Sequence, residues 1–270
     1  MNYYKLTVSI AESDERDILI ASLAENGAEG FEELSDELIV FVPESEFNAG
    51  VFAELISCEW NQEVIEPKNW NAEWESNFEP VIVGDFCAVR AHFHPAFPQV
   101  AHEIVITPKM SFGTGHHATT RLMMEQMGDI DFKGKKVLDF GTGTGVLAIL
   151  AEKLGAVDIM AIDNDSWSIE NAQENCATNA CASVRVSDTD IEAIPAGTTF
   201  DVILANINRN ILLQYMQTMQ RLLKAGGTLL MSGLLTEDET VIRESAAAAG
   251  FSWEGTHTRN NWICIRCARP

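Results

Sequence analysis

Lys136-Val-Leu-Asp-Phe-Gly-Thr-Gly-Thr-Gly-Val-Leu-Ala-Ile149 decides how the rest of this 270-residue chain is read. Val137 and Leu138 read as a short buried strand that Asp139 ends. Gly141, Gly143 and Gly145 follow as a turn with no side chains in the way. Val146 to Leu154 then continues at helical spacing, and Gly155 stops it. A strand, a glycine turn and a helix N-terminus make a backbone pocket that a small ligand can approach closely. One strand later, Ile159-Met-Ala-Ile-Asp163 reads as the parallel neighbour. An acid at the carboxyl end of such a strand accepts hydrogen bonds from ribose hydroxyls, so Asp163 points to a nucleoside. The spacing here is G-x-G-x-G with Val146 next, whereas the dinucleotide fingerprint is G-x-G-x-x-G. A carboxylate at Asp139 would repel a pyrophosphate and suits a ligand carrying an ammonium or a sulfonium.

Length allows two domains of ordinary size, and 46% hydrophobic residues support real cores. No apolar run approaches the roughly 18 residues a membrane span needs. The start, Met1-Asn-Tyr-Tyr-Lys-Leu, lacks the pattern of a signal peptide, which predicts a cytoplasmic protein. The net charge of −22 disfavours direct binding to nucleic acid. It would attract a basic protein, or serve solubility alone. Cys264 and Cys267 have a metal or redox spacing, but on a strand residues three apart face opposite ways. All six cysteines are therefore expected as free thiols, and no metal is expected.

Residues 1–65 read as a strand over Tyr3 to Ile10, then a helix over Asp14 to Asn26 with Ile18, Leu19 and Leu23 at helical spacing. Strands at Gly30 to Leu34 and Glu37 to Val42 follow. A second helix over Glu44 to Ser57 carries Phe47, Val51, Phe52 and Leu55 on one face, and Cys58 to Glu66 makes a last strand. The order β-α-β-β-α-β is the ferredoxin-like arrangement, which names no function. Its many acids fit a protein-docking module or a stabilising appendage. In residues 66–80, Trp70, Trp74 and Phe78 form one stripe of a short linker helix. Two strands around Gly84-Asp85 come next. His92 and His94 are expected on one strand face, with His102 nearby. The loop Thr107-Pro-Lys-Met-Ser-Phe-Gly-Thr-Gly-His-His-Ala-Thr-Thr-Arg121 precedes a helix starting near Ala118 and can cover the pocket. His116 and His117 suit acid/base work or helix capping. After Asp163 the pattern continues as helix 166–177, strand 183–187 with Asp188 behind it, and strand 200–206 ending at Asn206. Helix 210–223, strand 227–233, helix 237–249 and an antiparallel pair over 251–258 and 262–267 complete it.

The glycine stretch resembles that of S-adenosylmethionine-dependent methyltransferases. Met110-Ser-Phe-Gly-Thr-Gly-His-His-Ala-Thr-Thr120, the glycine stretch itself, Leu204-Ala-Asn-Ile207 and Leu230-Met-Ser-Gly-Leu-Leu235 stand in order. Together they resemble the ribosomal protein L11 methyltransferase family (PrmA), closely over about 70–270. Thr142 and Thr144 stand where relatives often carry Cys and Ser. The resemblance implies a doubly wound, seven-stranded class I methyltransferase sheet in 81–270, beside a small N-terminal ferredoxin-like α+β domain in 1–65 that recognises the substrate. It implies S-adenosylmethionine as cofactor, with S-adenosylhomocysteine as product, and amino groups of the basic protein L11 as acceptors. Thr120, Gly141, Asp163 and Asn206 are implied to lie at or beside the cofactor. The wider expected set adds Asp139, Gly143, Gly145, Asn164 and Asp188. Phe112, Gly113, Thr114, Gly115, His116 and His117 form the expected lid or substrate loop. The chain is expected to act as a monomer.

Asn206 is the residue expected to orient the acceptor: its amide oxygen can take a hydrogen bond from an amine. Proton loss can go to water, so no strong general base is needed. Other readings stay open. One is the same donor with a different amine or amide acceptor, although Asn206-Ile-Asn-Arg209 lacks the Asn-Pro-Pro-Tyr of glutamine-directed sites. Others are a non-catalytic nucleoside-binding protein and a nicotinamide oxidoreductase.

Overall fold

The computed structural model describes residues 2–10, 13–65, 79–107 and 118–270. The aromatic stripe Trp70, Trp74 and Phe78 and the loop residues Phe112 to His117 lie outside the described residues. The chain divides into two compact units, residues 1–77 and 78–270.

The first unit contains β1 (Tyr3–Ser9), α1 (Ser13–Glu25), β2 (Gly30–Glu33), β3 (Glu37–Pro43), α2 (Ala49–Leu55) and β4 (Trp60–Ile65). Its sheet order is β2-β3-β1-β4, all antiparallel, which is the ferredoxin-like topology. Leu6, Val8, Leu38, Val40 and Val42 alternate inward and meet Leu19, Leu23 and Phe52. Two details differ from the sequence reading. Ile18 is 72% exposed, because it lies about 100° around the helix from Leu19. Helix α2 starts later than expected: Asn48 accepts from the N–H groups of Gly50 and Val51, and Pro43 to Phe47 form a turn before it. Starting there turns Val51 outward and leaves Phe52 as the wholly buried residue of that helix.

The second unit begins with β5 (Val81–Val83), β6 (Cys87–Ala91) and β7 (His102–Ile106) in a three-stranded sheet. Strand β7, parallel to β6, was not recognised in the sequence. His92 and His94 do not share a strand face, because β6 stops at Ala91. Both fall in the turn that follows, where the His94 Nδ1 accepts from the Ala91 N–H. Then come α3 (Ala118–Met127), β8 (Lys136–Phe140), α4 (Val146–Lys153), β9 (Asp158–Ile162), α5 (Ser166–Thr178) and β10 (Val184–Ser187). The chain ends with β11 (Phe200–Asn206), α6 (Arg209–Leu222), β12 (Leu223–Leu235), α7 (Glu239–Ala249), β13 (Ser252–Arg259) and β14 (Trp262–Ala268).

These strands form one seven-stranded sheet ordered β10-β9-β8-β11-β12-β14-β13. The first five run parallel, and β14 is antiparallel to both of its neighbours. Side-chain alternation divides two buried layers. Val137, Val202, Leu204 and Cys264 join one layer with α3 and α4, whereas Leu138, Ile203, Ala205 and Cys267 join the other with α6 and α7. Cys264 and Cys267 thus sit on opposite faces, and burial pushes the Cys267 thiol up to about 12. Chain order reverses between β8 and β11, the switch point where open α/β sheets hold ligands. Among the described residues, no helix is long and apolar enough to cross a membrane, and no three potential ligands share a metal-sized site.

Phe52→Ala removes a wholly buried ring that packs against Phe47. It is expected to lower the stability of the first unit by about 3–5 kcal/mol in urea denaturation; a loss under about 1 kcal/mol would reject the ring as the anchor of that core.

Candidate active site

A cavity of about 680 Å³ opens at the switch point, a size suited to a ligand of nucleoside dimensions. Gly141, Thr142 and Gly143 contribute from the loop after β8, Asp163 and Asn164 from the end of β9, and Asp188 to Ile191 from the end of β10. Asn206 to Asn208 contribute from the end of β11, and Thr120 from the first turn of α3.

Each wall has a local cause. Gly141 adopts φ +76°, and a Cβ there would lie 2.1 Å from Ile207 Cγ2. Only glycine meets both conditions. Asp163 fixes the loop from the side. One carboxylate oxygen accepts from the Gly143 N–H at 2.9 Å, and the other from the Asp165 N–H at 3.1 Å. Each oxygen keeps a second lone pair for a ligand donor. Asn164 and Asp188 sit exposed at the cavity. Asn208 caps α6 by accepting from the Ile211 N–H, which turns the chain sharply after Asn206. The Asn206 Nδ2 donates to Thr120 Oγ1 at 3.2 Å. Its Oδ1 is buried and has no hydrogen-bond partner among the described residues.

Two residues expected at the ligand stand elsewhere. Asp139 is wholly buried beneath the loop and is not in the cavity wall. Thr142 Oγ1 donates to its carboxylate at 2.7 Å, and the nearby Ala148 N–H in the first turn of α4 favours the charged form. Gly145, the residue preceding α4, offers no side-chain cap, and the acid from β8 lies against that turn instead. Gly145 itself makes room for packing, since a Cβ there would lie 3.2 Å from that of Ala172. The structure also brings in residues that the sequence reading did not place at the cavity. Phe140 meets Tyr215 edge to face at 5.6 Å, and Tyr215, Trp262 and Gly233 complete the side of the cavity beyond Asn206. Gly233, at φ +84°, accompanies a register shift between Met231 and Leu234; a Cβ on it would lie 2.3 Å from the Ile207 carbonyl oxygen. No motif spacing links these residues to Asn206. They meet because β12 stands beside β11, β14 stands beside β12, and α6 follows β11.

A glycine loop, an acid after the next strand and a polar residue after the fourth, on this strand order, define the class I methyltransferase fold. Comparison with known proteins narrows the class. The family model described as ribosomal protein L11 methyltransferase (PrmA) matches residues 7–270. The ribosomal protein L11 methyltransferase of Porphyromonas gingivalis is 44% identical over 259 residues, covering 93% of this chain and 89% of that protein. The one from Phocaeicola vulgatus is 35% identical over 98% of this chain and 99% of its own length. A crystal structure of the ribosomal protein L11 methylase from Lactobacillus delbrueckii subsp. bulgaricus superposes with a TM-score of 0.65 at 29% identity, covering 71% of this chain and 99% of that one. The chain belongs to the ribosomal protein L11 methyltransferase (PrmA) family.

Burial raises the Asp139 carboxyl from 3.8 to about 6, against the pull of its bonds to Thr142 and Ala148. The folded chain therefore holds this proton where the unfolded chain has lost it. The contribution of Asp139 to stability should fall as pH rises from about 4 to about 6, by on the order of 3 kcal/mol, and stay level above. Asp139→Asn carries no charge and should abolish that fall when urea denaturation is compared at the two ends of the window. An unchanged pH slope in the variant would show that Asp139 is not its source.

Proposed function

We propose that this chain transfers methyl groups from S-adenosylmethionine to amino groups of ribosomal protein L11, both the chain N-terminus and lysine side chains. Family membership supports the donor and the substrate. The observation that carries the chemistry is Asn206, whose amide nitrogen donates to Thr120 while its buried oxygen has no hydrogen-bond partner among the described residues.

The residues present fit the donor. Gly141 leaves its wall without a Cβ, Asp163 offers carboxylate lone pairs suited to ribose hydroxyls, and Asp188 stands where an adenine edge could meet it. When bound, S-adenosylmethionine supplies an electrophilic methyl group on a sulfonium.

The chain's own task is to present a neutral amine. A lysine of ordinary pKa costs about 4 kcal/mol to hold neutral at pH 7.4, an α-amine under about 1. Desolvation lowers that cost. The wall beyond Asn206 supports this, because Ile207, Ile211, Tyr215, Gly233 and Trp262 bring no carboxylate to stabilise an ammonium. The lining acids Asp163, Asp188 and Asp190 follow β9 and β10 instead. The amine's proton leaves to water before docking. The Asn206 oxygen then accepts one amine N–H and aims the lone pair, so the rate comes chiefly from positioning. Asn206→Ala should leave donor affinity nearly unchanged and slow methyl transfer to L11 by about 100-fold. Undiminished turnover would remove Asn206 from this role.

We assign substrate recognition to the first unit. Residues 1–77 hold eighteen acids and three bases. One of those bases, Arg16, turns inward and donates to the carbonyls of Ile10, Leu34 and Ser35. The acidic surface left attracts a basic protein and speeds its encounter. We place the reaction in the cytoplasm. Deleting residues 1–65 should preserve donor binding and abolish transfer to L11; full activity on L11 after the deletion would overturn the assignment.

A further inference from the structure

Asn171 and Asn175 of helix α5 and Asn179, the residue that ends it, stand at successive spacings of four on one face. That face runs along the open edge of β7. The Asn179 amide pairs with both backbone groups of Val105, accepting from its N–H at 3.0 Å and donating to its carbonyl at 2.6 Å. Asn175 Oδ1 accepts from the Thr107 N–H at 2.8 Å, and Asn171 Nδ2 donates to the Thr107 carbonyl at 3.1 Å. The three amides thus stand in for the missing partner strand, since each offers an acceptor and a donor as a peptide does.

Asn175 does one thing more. Its Nδ2 donates to the Thr144 carbonyl at 2.9 Å, inside the glycine loop. A single buried side chain therefore joins two backbones: the loop that walls the cavity, and the end of β7. The chain leaves β7 at Thr107 and is next described at Ala118, two residues before Thr120, the partner of Asn206. The helix that carries Asn175 also starts three residues after Asp163.

We propose that Asn175 is a positioning residue for donor binding, holding the glycine loop at a fixed distance from the strand that leads toward Thr120. The proposal rests on reading the cavity as the S-adenosylmethionine site. Asn179 is the natural comparator: it makes the same kind of bonds to the same strand and none to the glycine loop.

The experiment measures S-adenosylhomocysteine affinity by calorimetry and Thr107 amide exchange in the ligand-free protein. It uses the full-length wild type, Asn175→Ala, Asn175→Asp and Asn179→Ala. Asn175→Ala should weaken binding by about tenfold or more and unprotect the Thr107 amide, while Asn179→Ala stays within about twofold of wild type in affinity. Asn175→Asp should bind weakly at neutral pH and recover, relative to wild type, on acidification. A neutral carboxyl restores both the acceptor for Thr107 and an O–H donor to Thr144, whereas the carboxylate lacks the donor. Affinity within about twofold of wild type in Asn175→Ala, or an equal loss in Asn179→Ala, would overturn the proposal. If Asn175→Ala does not fold, the acid recovery of Asn175→Asp decides, and its absence overturns it. Failure of the wild type itself to bind S-adenosylhomocysteine would instead reject the reading of the cavity, and the proposal with it.

Discussion

Ile207 is wedged between two glycines, and the site depends on that wedge. A Cβ on Gly141 would collide with its side chain, and a Cβ on Gly233 with its backbone. Both glycines hold positive φ, so neither place admits another residue without strain. Because the two flanking strands yield this space, the chain leaving β11 can pass between the glycine loop and β12. Asn206, one residue earlier, is thereby delivered to the wall of the cavity.

Delivery alone would leave the Asn206 amide free to turn. Thr120, from a helix 86 residues earlier in the chain, takes up the amide nitrogen, and among the described residues nothing pairs with the buried oxygen. An unsatisfied buried acceptor costs on the order of 1–3 kcal/mol. An acceptor so placed at the switch point suits a donor from outside the chain. A neutral amine is such a donor, and the carboxylate-free wall beyond Asn206 suits one.

Electrostatics below the loop follow a separate logic. Asp139 reads in the sequence as an anion facing a cationic ligand, yet its carboxylate accepts from the Thr142 hydroxyl and lies beside the Ala148 N–H in the first turn of α4. The distinction turns on side-chain direction at a strand end, which a motif does not encode. The asparagines of α5 are similar. They read as ordinary polar helix residues, and their role emerges only against the edge of β7, a strand whose short His102-Glu-Ile-Val-Ile106 run did not stand out from the neighbouring loops.

Sequence by itself determined the order of elements in the first unit and, apart from β7, in the second, because alternation and helical spacing record which face of each element is buried. It also determined that Gly141, Asp163, Asn164, Asp188, Asn206 and Thr120 would gather, since each ends a strand or opens a helix on one side of the sheet. Tertiary structure decided which of the motif residues face the cavity and which lie beneath it, what holds the Asn206 amide in place, and that Tyr215, Gly233 and Trp262 join the wall. Those outcomes rest on strand neighbours far apart in the chain and on the close approach of Gly141 and Gly233 to Ile207, and neither leaves a periodic trace in the sequence.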